Sequence, residues 1–89
     1  MTNNTYNGWA NYETWNVSLW LNNTDTLYSG MVDAIRYGAR TYNAVLTYLR
    51  ATDAIDEPQT PDEVAWDAAE LDTAELDAMI VELAEDLAN

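Results

Sequence analysis

The chain has no cysteine, no histidine and no lysine, and its only bases are Arg36, Arg40 and Arg50. The absence of cysteine excludes disulfide bonds and thiolate metal sites. Without histidine, the chain also has neither the commonest general base nor the commonest metal ligand. Because three bases in 89 residues can hold few phosphates, we expect no direct binding to nucleic acid or to an anionic membrane surface.

The remaining polar groups offer little chemistry, since no histidine, cysteine or lysine is present to activate a nucleophile. A carboxylate pair such as Asp62 and Glu63 could act as acid and base only if burial separated their pKa values. Calcium loops need acids around a central glycine, and Gly8, Gly30 and Gly38 all lie outside the acidic region. We therefore expect no enzyme activity, no cofactor and no dedicated metal site.

Size and composition predict one globular domain spanning residues 1–89. Hydrophobic residues make up 48% of the chain, including four tryptophans, so a core can be built. No apolar stretch approaches 18 residues, and no basic segment followed by an apolar run opens the chain. These features predict a cytoplasmic protein without a membrane segment.

The charge is confined to one end of the chain. Residues 1–52 hold three acids and three bases, whereas residues 53–89 hold thirteen acids and no base, which accounts for the net charge of -13. Charges of one sign repel each other and destabilise a compact state, and a fold does not need them. The asymmetry therefore favours an explanation outside the fold, such as a partner or an unusual solvent.

The neutral part of the chain reads as a lead-in followed by helices. Residues 1–10 are expected to be poorly ordered, and residues 11–52 to form aromatic-rich helices. Asn11 is a plausible N-cap for a helix that ends near Asn22. Apolar residues in 25–51 recur at helical spacing, and Gly38 interrupts that pattern. They form either one long helix or two helices that meet near Gly38; we favour two, because one helix of that length would leave little chain to fold back on it.

Four aromatic residues lie in the first part of this region, and they could form either a core or a docking surface. As a surface they could stack bases or anchor a protein. As core they would bury a large area in a small domain that needs it. We expect a core, with Trp9 the residue most exposed at the surface; the four are Trp9, Tyr12, Trp15 and Trp20.

The acidic part is predicted to be a loop, 53–60, followed by acidic helices in 61–88. Thr60, Pro61 and Glu63 have the pattern of a helix start with a capping box. A second capping box at Asp72 and Glu75 begins a helix over about 73–88. This helix has an apolar stripe of Leu76, Met79, Ile80, Leu83 and Leu87. The predicted fold is all-α, with four or five helices and an acidic C-terminal helical hairpin.

Three explanations fit the acidic part. A solvated helix face does not account for the lack of any compensating base, because ordinary soluble helices carry both acidic and basic residues. Adaptation to high salt predicts acids over the whole surface, yet residues 1–52 are neutral. Mimicry of a nucleic-acid backbone fits best, since a helix from residue 62 to 86 would extend about 36 Å and carry about one charge per 4 Å. The candidate partner-binding residues are Asp62, Glu63, Asp67, Glu70, Asp72, Glu75, Asp77, Glu82, Glu85 and Asp86.

A resemblance adds context to these patterns. The segment from Trp9 to Leu21 reads W-A-N-Y-E-T-W-N-V-S-L-W-L. It resembles a W-x-N-Y-x-T-W-N-V-x-L-W motif near the N-terminus of small proteins from phages, plasmids and prophage regions. Small acidic proteins of such elements are similar in kind to anti-CRISPR or antirestriction inhibitors, which block the DNA-binding surface of a host defence complex. The resemblance implies a viral or plasmid protein that inhibits rather than catalyses.

The sequence thus predicts an inhibitor that acts as a DNA mimic in the host cytoplasm. Its partner would be a basic nucleic-acid-binding protein of the host, either a CRISPR effector or a restriction enzyme. One alternative is a non-enzymatic accessory or structural protein of a virus or plasmid, acidic because its host cytoplasm is saline. Another is a regulatory subunit that docks through the tryptophan-rich segment.

Overall fold

Four α-helices form the regular structure of the protein, of which the computed structural model describes residues 6–88. They are α1 (Tyr12–Asn23), α2 (Asp25–Arg36), α3 (Tyr42–Ala51) and α4 (Thr73–Ala88). Over this range there is no β-strand, and two isolated bridges join Tyr6 to Trp9 and Gln59 to Ala65. The all-α prediction is confirmed. None of the described helices combines the length and apolar character needed to cross a membrane.

Helix α1 begins at the predicted cap. The Asn11 side chain accepts a hydrogen bond from the Thr14 backbone N–H at 2.8 Å, which satisfies one of the donors left open at a helix start. Thr24 is the only residue between α1 and α2, and its N–H donates to the Trp20 carbonyl at 3.2 Å. This short connection makes α1 and α2 packed neighbours.

The predicted break within residues 25–51 is confirmed. Helix α2 ends at Arg36, and Gly38 then takes a φ of 111°, which favours glycine because a Cβ would clash with the backbone. Thr41 caps α3 by accepting from the Ala44 N–H at 3.2 Å. The chain therefore turns back on itself, and α3 packs against α2.

The helix predicted to start at Thr60 is wrong: residues 53–72 are irregular. The Thr60 hydroxyl does accept from the Val64 N–H at 3.2 Å, but the Thr60 N–H donates to the Val64 carbonyl at 2.8 Å, which closes a turn. Glu63 in that turn has a φ of 70°, in the left-handed region. The hydroxyl of Thr60 therefore makes a capping type of hydrogen bond, but this bond belongs to a tight turn and does not start a helix.

Long-range contacts explain why the turn prevails over a helix. Trp66 is buried, and its carbonyl accepts from the buried Tyr42 hydroxyl at 2.6 Å. Its N–H donates to the Pro58 carbonyl at 3.1 Å. These partners replace the hydrogen bonds that a helix through Trp66 would make with its own residues. The acidic part of the chain is thus an irregular segment followed by one helix, in place of the predicted helical hairpin.

Helix α4 closes the core by packing against all three other helices. Leu76 and Ile80 on its inner face are fully buried, while Met79, Leu83 and Leu87 are partly buried beside them. They join one cluster with buried residues of α1, α2 and α3, and with residues of the irregular segment such as Ile55 and Trp66. The acidic part therefore contributes directly to the core.

The start of the described chain is a tight turn. Tyr6 and Trp9 exchange backbone hydrogen bonds of 2.7 and 2.8 Å across Asn7 and Gly8, whose φ values are 50° and 89°. Asn-Gly is the preferred pair for a turn with two positive φ values. Residues 6–10 of the expected lead-in therefore contain this turn, and its remainder, 1–5, lies outside the described residues.

Candidate functional site

The inner face of α1 is polar as well as apolar. Its buried residues are Thr14, Asn16, Val17, Ser18 and Leu21, and the exposed fractions of Thr14 and Asn16 are 0%. Burying hydroxyl and amide groups is costly unless each finds a hydrogen-bond partner. The partners of Thr14 and Asn16 include residues of the acidic part of the chain.

The aromatic residues around this face are less buried than we expected. Trp9 and Trp20 are half-buried against the core, whereas Tyr12 remains 39% exposed. Trp15 is half-buried and packs with Tyr6, at a ring distance of 4.8 Å, and with Tyr12, at 5.6 Å. The prediction that these residues form the core, with Trp9 the most exposed, is wrong for Tyr12, which is exposed while Trp9 packs against the core. Thr14, Asn16 and Ser18 occupy the inward positions.

Asn16 links α1 to the irregular segment through both ends of its amide. Its oxygen accepts from the Thr60 hydroxyl at 2.7 Å, and its nitrogen donates to an Asp62 carboxylate oxygen at 2.7 Å. The Trp20 indole N–H donates to the same Asp62 oxygen at 3.0 Å. The hydrogen bonds from Asn16 and then Trp20 hold the pKa of Asp62 below its ordinary value of 3.8, because they stabilise the ionised form.

Asn11 and Thr14 make a second link, to the residues just before α4. The Asn11 amide donates to the Glu70 carbonyl at 2.7 Å. The Thr14 hydroxyl donates to the Asn11 side chain at 2.6 Å and accepts from the Asp72 N–H at 2.9 Å. Asn11, Thr14 and Asn16 are fixed positions of the motif quoted above, so its polar residues hold the two parts of the chain together.

Helix α4 also uses carboxylates as acceptors. Asp72 accepts from the Glu75 N–H at 3.1 Å, as its predicted capping role requires. Glu75 does not close that capping box, because its carboxylate accepts from the Ala10 N–H at 2.7 Å. Asp77 accepts at 2.7 Å from the N–H of Tyr42, the first residue of α3, where the helix dipole favours a negative charge.

The ten predicted site residues therefore fall into two groups. Four bind N–H groups within the fold: Asp62, Asp72, Glu75 and Asp77. The other six are all exposed: Glu63, Asp67, Glu70, Glu82, Glu85 and Asp86. Asp62 of the first group is exposed as well. Between residues 6 and 88 the only ion pair joins Asp67 to Arg50 at 3.8 Å, and both side chains are exposed, so it contributes little.

The exposed acids do not share one helical face. Glu82, Glu85 and Asp86 lie on α4, whereas Glu63, Asp67 and Glu70 lie on the irregular segment. In the described part of the chain, no three acids are close enough together to hold a metal ion. The exposed acids therefore give the protein surface a dispersed negative charge.

Sequence reasoning missed two further acids, Asp56 and Glu57, because they lie in the predicted loop. Together with Glu63 they line an open cleft of about 440 Å³. Trp20 and Trp66 line the same cleft, which we call the Trp20–Trp66 cleft. The presence of Trp66 within a segment rich in acids was the one sequence signal that could have indicated it.

One prediction separates a structural acid from an exposed one on the same helix. Asp77→Ala removes the acceptor at the start of α3 and should lower the free energy of unfolding by about 1–3 kcal/mol, because the Tyr42 N–H loses its partner. Asp86→Ala makes the same change of charge at an exposed position and should change stability by less than about 0.5 kcal/mol. Chemical denaturation followed by circular dichroism measures both; equal losses would contradict the structural role of Asp77.

A second prediction concerns pH. Asp62 should titrate below 3.8 in the folded protein, and Asn16→Ala should raise its midpoint, because the largest cause of the shift is removed. The control variant is Asn23→Ala, because the Asn23 amide donates to the Leu19 carbonyl. This variant should leave the midpoint of Asp62 unchanged. The NMR chemical shift of the Asp62 carboxyl carbon, followed as a function of pH, measures this midpoint.

The lowered pKa of Asp62 also sets the sign of its effect on stability. The folded state binds the proton of Asp62 more weakly than the unfolded chain does, so its stabilisation is present above about pH 4. It is lost as the pH falls through the folded-state pKa. The stability difference between the protein and Asp62→Asn should therefore shrink at the most acidic pH; a constant difference would contradict the assignment.

Comparison with known proteins places the chain in a family. A family model described as "Family of unknown function (DUF7249)" matches residues 2–87. No curated protein and no solved structure matches the chain. The family match includes the polar motif of α1, the irregular segment and nearly all of α4. The chain belongs to this family of unknown function, DUF7249.

Proposed function

We propose that the protein is an inhibitor from a mobile genetic element that acts in the host cytoplasm on a defence complex. The target is a CRISPR effector or a restriction enzyme, and the protein occupies the basic surface with which that complex holds nucleic acid. Lysine and arginine side chains that normally pair with phosphates pair with the carboxylates of the inhibitor. Binding of the inhibitor and of DNA are then mutually exclusive.

The observation that carries this proposal is an acidic surface with little compensation: among residues 6–88 one exposed base, Arg50, pairs with one of its acids, Asp67. Seven of the ten predicted site residues are exposed, including the hydrogen-bonded Asp62, and Asp53, Asp56 and Glu57 add three more. Residues 53–89 contain no base at all. Such a surface steers a basic partner towards it and repels nucleic acid and other acidic proteins.

The positions of the acids determine which form the proposed mimicry takes. The acids from 62 to 86 do not follow one straight helix of about 36 Å, because α4 starts only at Thr73. Sixteen helical residues span about 24 Å, and the other exposed acids lie on the irregular segment. The proposed inhibitor therefore competes through its charge density and does not copy the regular spacing of phosphates along a strand.

A second candidate has one observation in its favour. Tyr6, Tyr12 and Trp15 form an aromatic cluster in which both tyrosines are about 40% exposed. Aromatic residues are enriched at the centres of protein interfaces. A regulatory subunit could dock through this cluster, and its binding would not depend on the acids of α4.

A test in cells decides between these proposals. Cells that carry a restriction or CRISPR system are challenged with phage that the system targets, with and without the protein. The protein should raise the number of plaques, and Glu85→Lys/Asp86→Lys should abolish that effect, because like charges across an interface cost several kcal/mol. The matched control is Asp25→Lys/Asp33→Lys, which makes the same change of net charge at exposed positions of α2 and should retain inhibition.

Circular dichroism establishes that both variants are folded before they are compared. A folded Glu85→Lys/Asp86→Lys variant with full inhibition would contradict the acidic surface and favour the aromatic cluster. The purified protein should also leave duplex oligonucleotides unshifted in gels at about 0.1 M salt, where charges are screened beyond about 10 Å. A clear shift would contradict competition by mimicry.

A further inference from the structure

The Trp20–Trp66 cleft has an apolar floor. Leu27, Ile55 and Trp66 line it and are each at least 93% buried, and the half-buried Trp20 completes the apolar lining. Its volume of about 440 Å³ is in the range of pockets that enclose small ligands, roughly 300–1,000 Å³. The cleft can therefore take a long side chain with an apolar stem.

The rim of the cleft is acidic. Asp56, Glu57 and Glu63 line it and are exposed, and none of the three arginines does. These three acidic residues thus line the same cleft as Trp20 and Trp66. An occupant must match both features, so it needs a positive charge next to an apolar or planar group.

Hydrogen bonds fix the walls before any partner arrives. The Trp20 indole N–H is held by Asp62 at 3.0 Å, and the Trp66 carbonyl is held by the Tyr42 hydroxyl at 2.6 Å. Thr60, also in the lining, is bound to Asn16 at 2.7 Å. A preformed pocket loses little conformational freedom on binding, which favours affinity.

We propose that the Trp20–Trp66 cleft receives an arginine side chain of the partner protein. The guanidinium group is planar and weakly hydrated, stacks on aromatic rings and pairs with carboxylates through two hydrogen bonds. Its three methylene groups suit the apolar floor. The inference deepens the proposed function and rests on it for the class of partner, a protein that holds nucleic acid with basic residues.

The test uses a short arginine-rich peptide as the probe and the intact protein. In the control peptide, citrulline replaces arginine, which keeps the shape of the side chain and removes its charge. Calorimetry measures affinity, and NMR identifies the contacts. The arginine peptide should bind, with NOEs between its side-chain methylene protons and Leu27, Ile55 and the indole rings of Trp20 and Trp66.

Matched variants locate the binding. Asp56→Asn/Glu57→Gln/Glu63→Gln removes three charges at the rim and should weaken the arginine peptide by about tenfold or more, since charged contacts in a partly closed site are strong. Glu82→Gln/Glu85→Gln/Asp86→Asn removes three charges on α4. It should lower the affinity for the arginine peptide by only about twofold to threefold, because these acids act on the peptide only through the overall electrostatic field of the protein. Glu63→Gly removes one rim carboxylate at a position whose φ of 70° suits glycine, so it should weaken binding without unfolding the protein.

Several results would overturn the assignment of the cleft. They are equal losses for the two triple variants, equal affinity for the citrulline peptide, and NOEs that lie outside the cleft. If these occur while inhibition in cells persists, the proposed function stands and the arginine site fails. If the peptide binds in the cleft but the protein does not inhibit any defence system, the arginine site stands and the proposed function fails.

Discussion

The structure depends on one buried amide, that of Asn16. It has no exposed surface, yet both ends of it are satisfied, by the Thr60 hydroxyl and by the Asp62 carboxylate. A buried amide without partners would destabilise the fold, so α1 and the turn at Thr60 stabilise each other. This contact joins the neutral part of the chain to the acidic part, and the links from Asn11 and Thr14 extend it to the start of α4.

The same links explain how a segment with thirteen acids and no base folds onto the rest of the protein. Its structural carboxylates are stabilised by N–H donors, supplied by Ala10, Asn16, Trp20 and Tyr42. Hydrogen bonds from N–H groups to an ionised carboxylate are stronger than neutral ones. Lysine and arginine are therefore not needed to hold the segment in place, and the other acids can remain on the surface.

Local signals were enough to predict much of the fold. Asn11, Gly38 and Asp72 set helix ends through caps and backbone geometry, which depend on a few neighbouring residues, and α1, the break after α2 and the start of α4 were predicted on that basis. Thr60 misled the prediction because its capping pattern is satisfied in a turn. The contact between Tyr42 and Trp66 that favours this turn joins residues 24 positions apart.

The sequence was enough to predict that the candidate site is a set of acids. It was not enough to predict which of them bind N–H groups of the fold and which are only exposed. Apolar patterning placed Tyr12 inside and gave no role to Thr14 and Asn16, whose partners lie 58 and 44 residues away. Asp77 and Asp86 look equivalent in the sequence of α4, and only the packing of α3 beside Asp77 distinguishes them. The cleft could not be predicted, since it forms where the irregular segment meets α1 and α2.

A double-mutant cycle between Asn16→Ala and Thr60→Val measures how strongly α1 and the turn at Thr60 stabilise each other, because it targets the contact that joins the two parts of the chain. Free energies of unfolding are measured for the protein, the two single variants and the double variant. The double variant should lose less stability than the sum of the two single losses, with a coupling energy of about 0.5–3 kcal/mol. Losses that simply add would show that α1 and the turn at Thr60 do not stabilise each other, and would contradict the account.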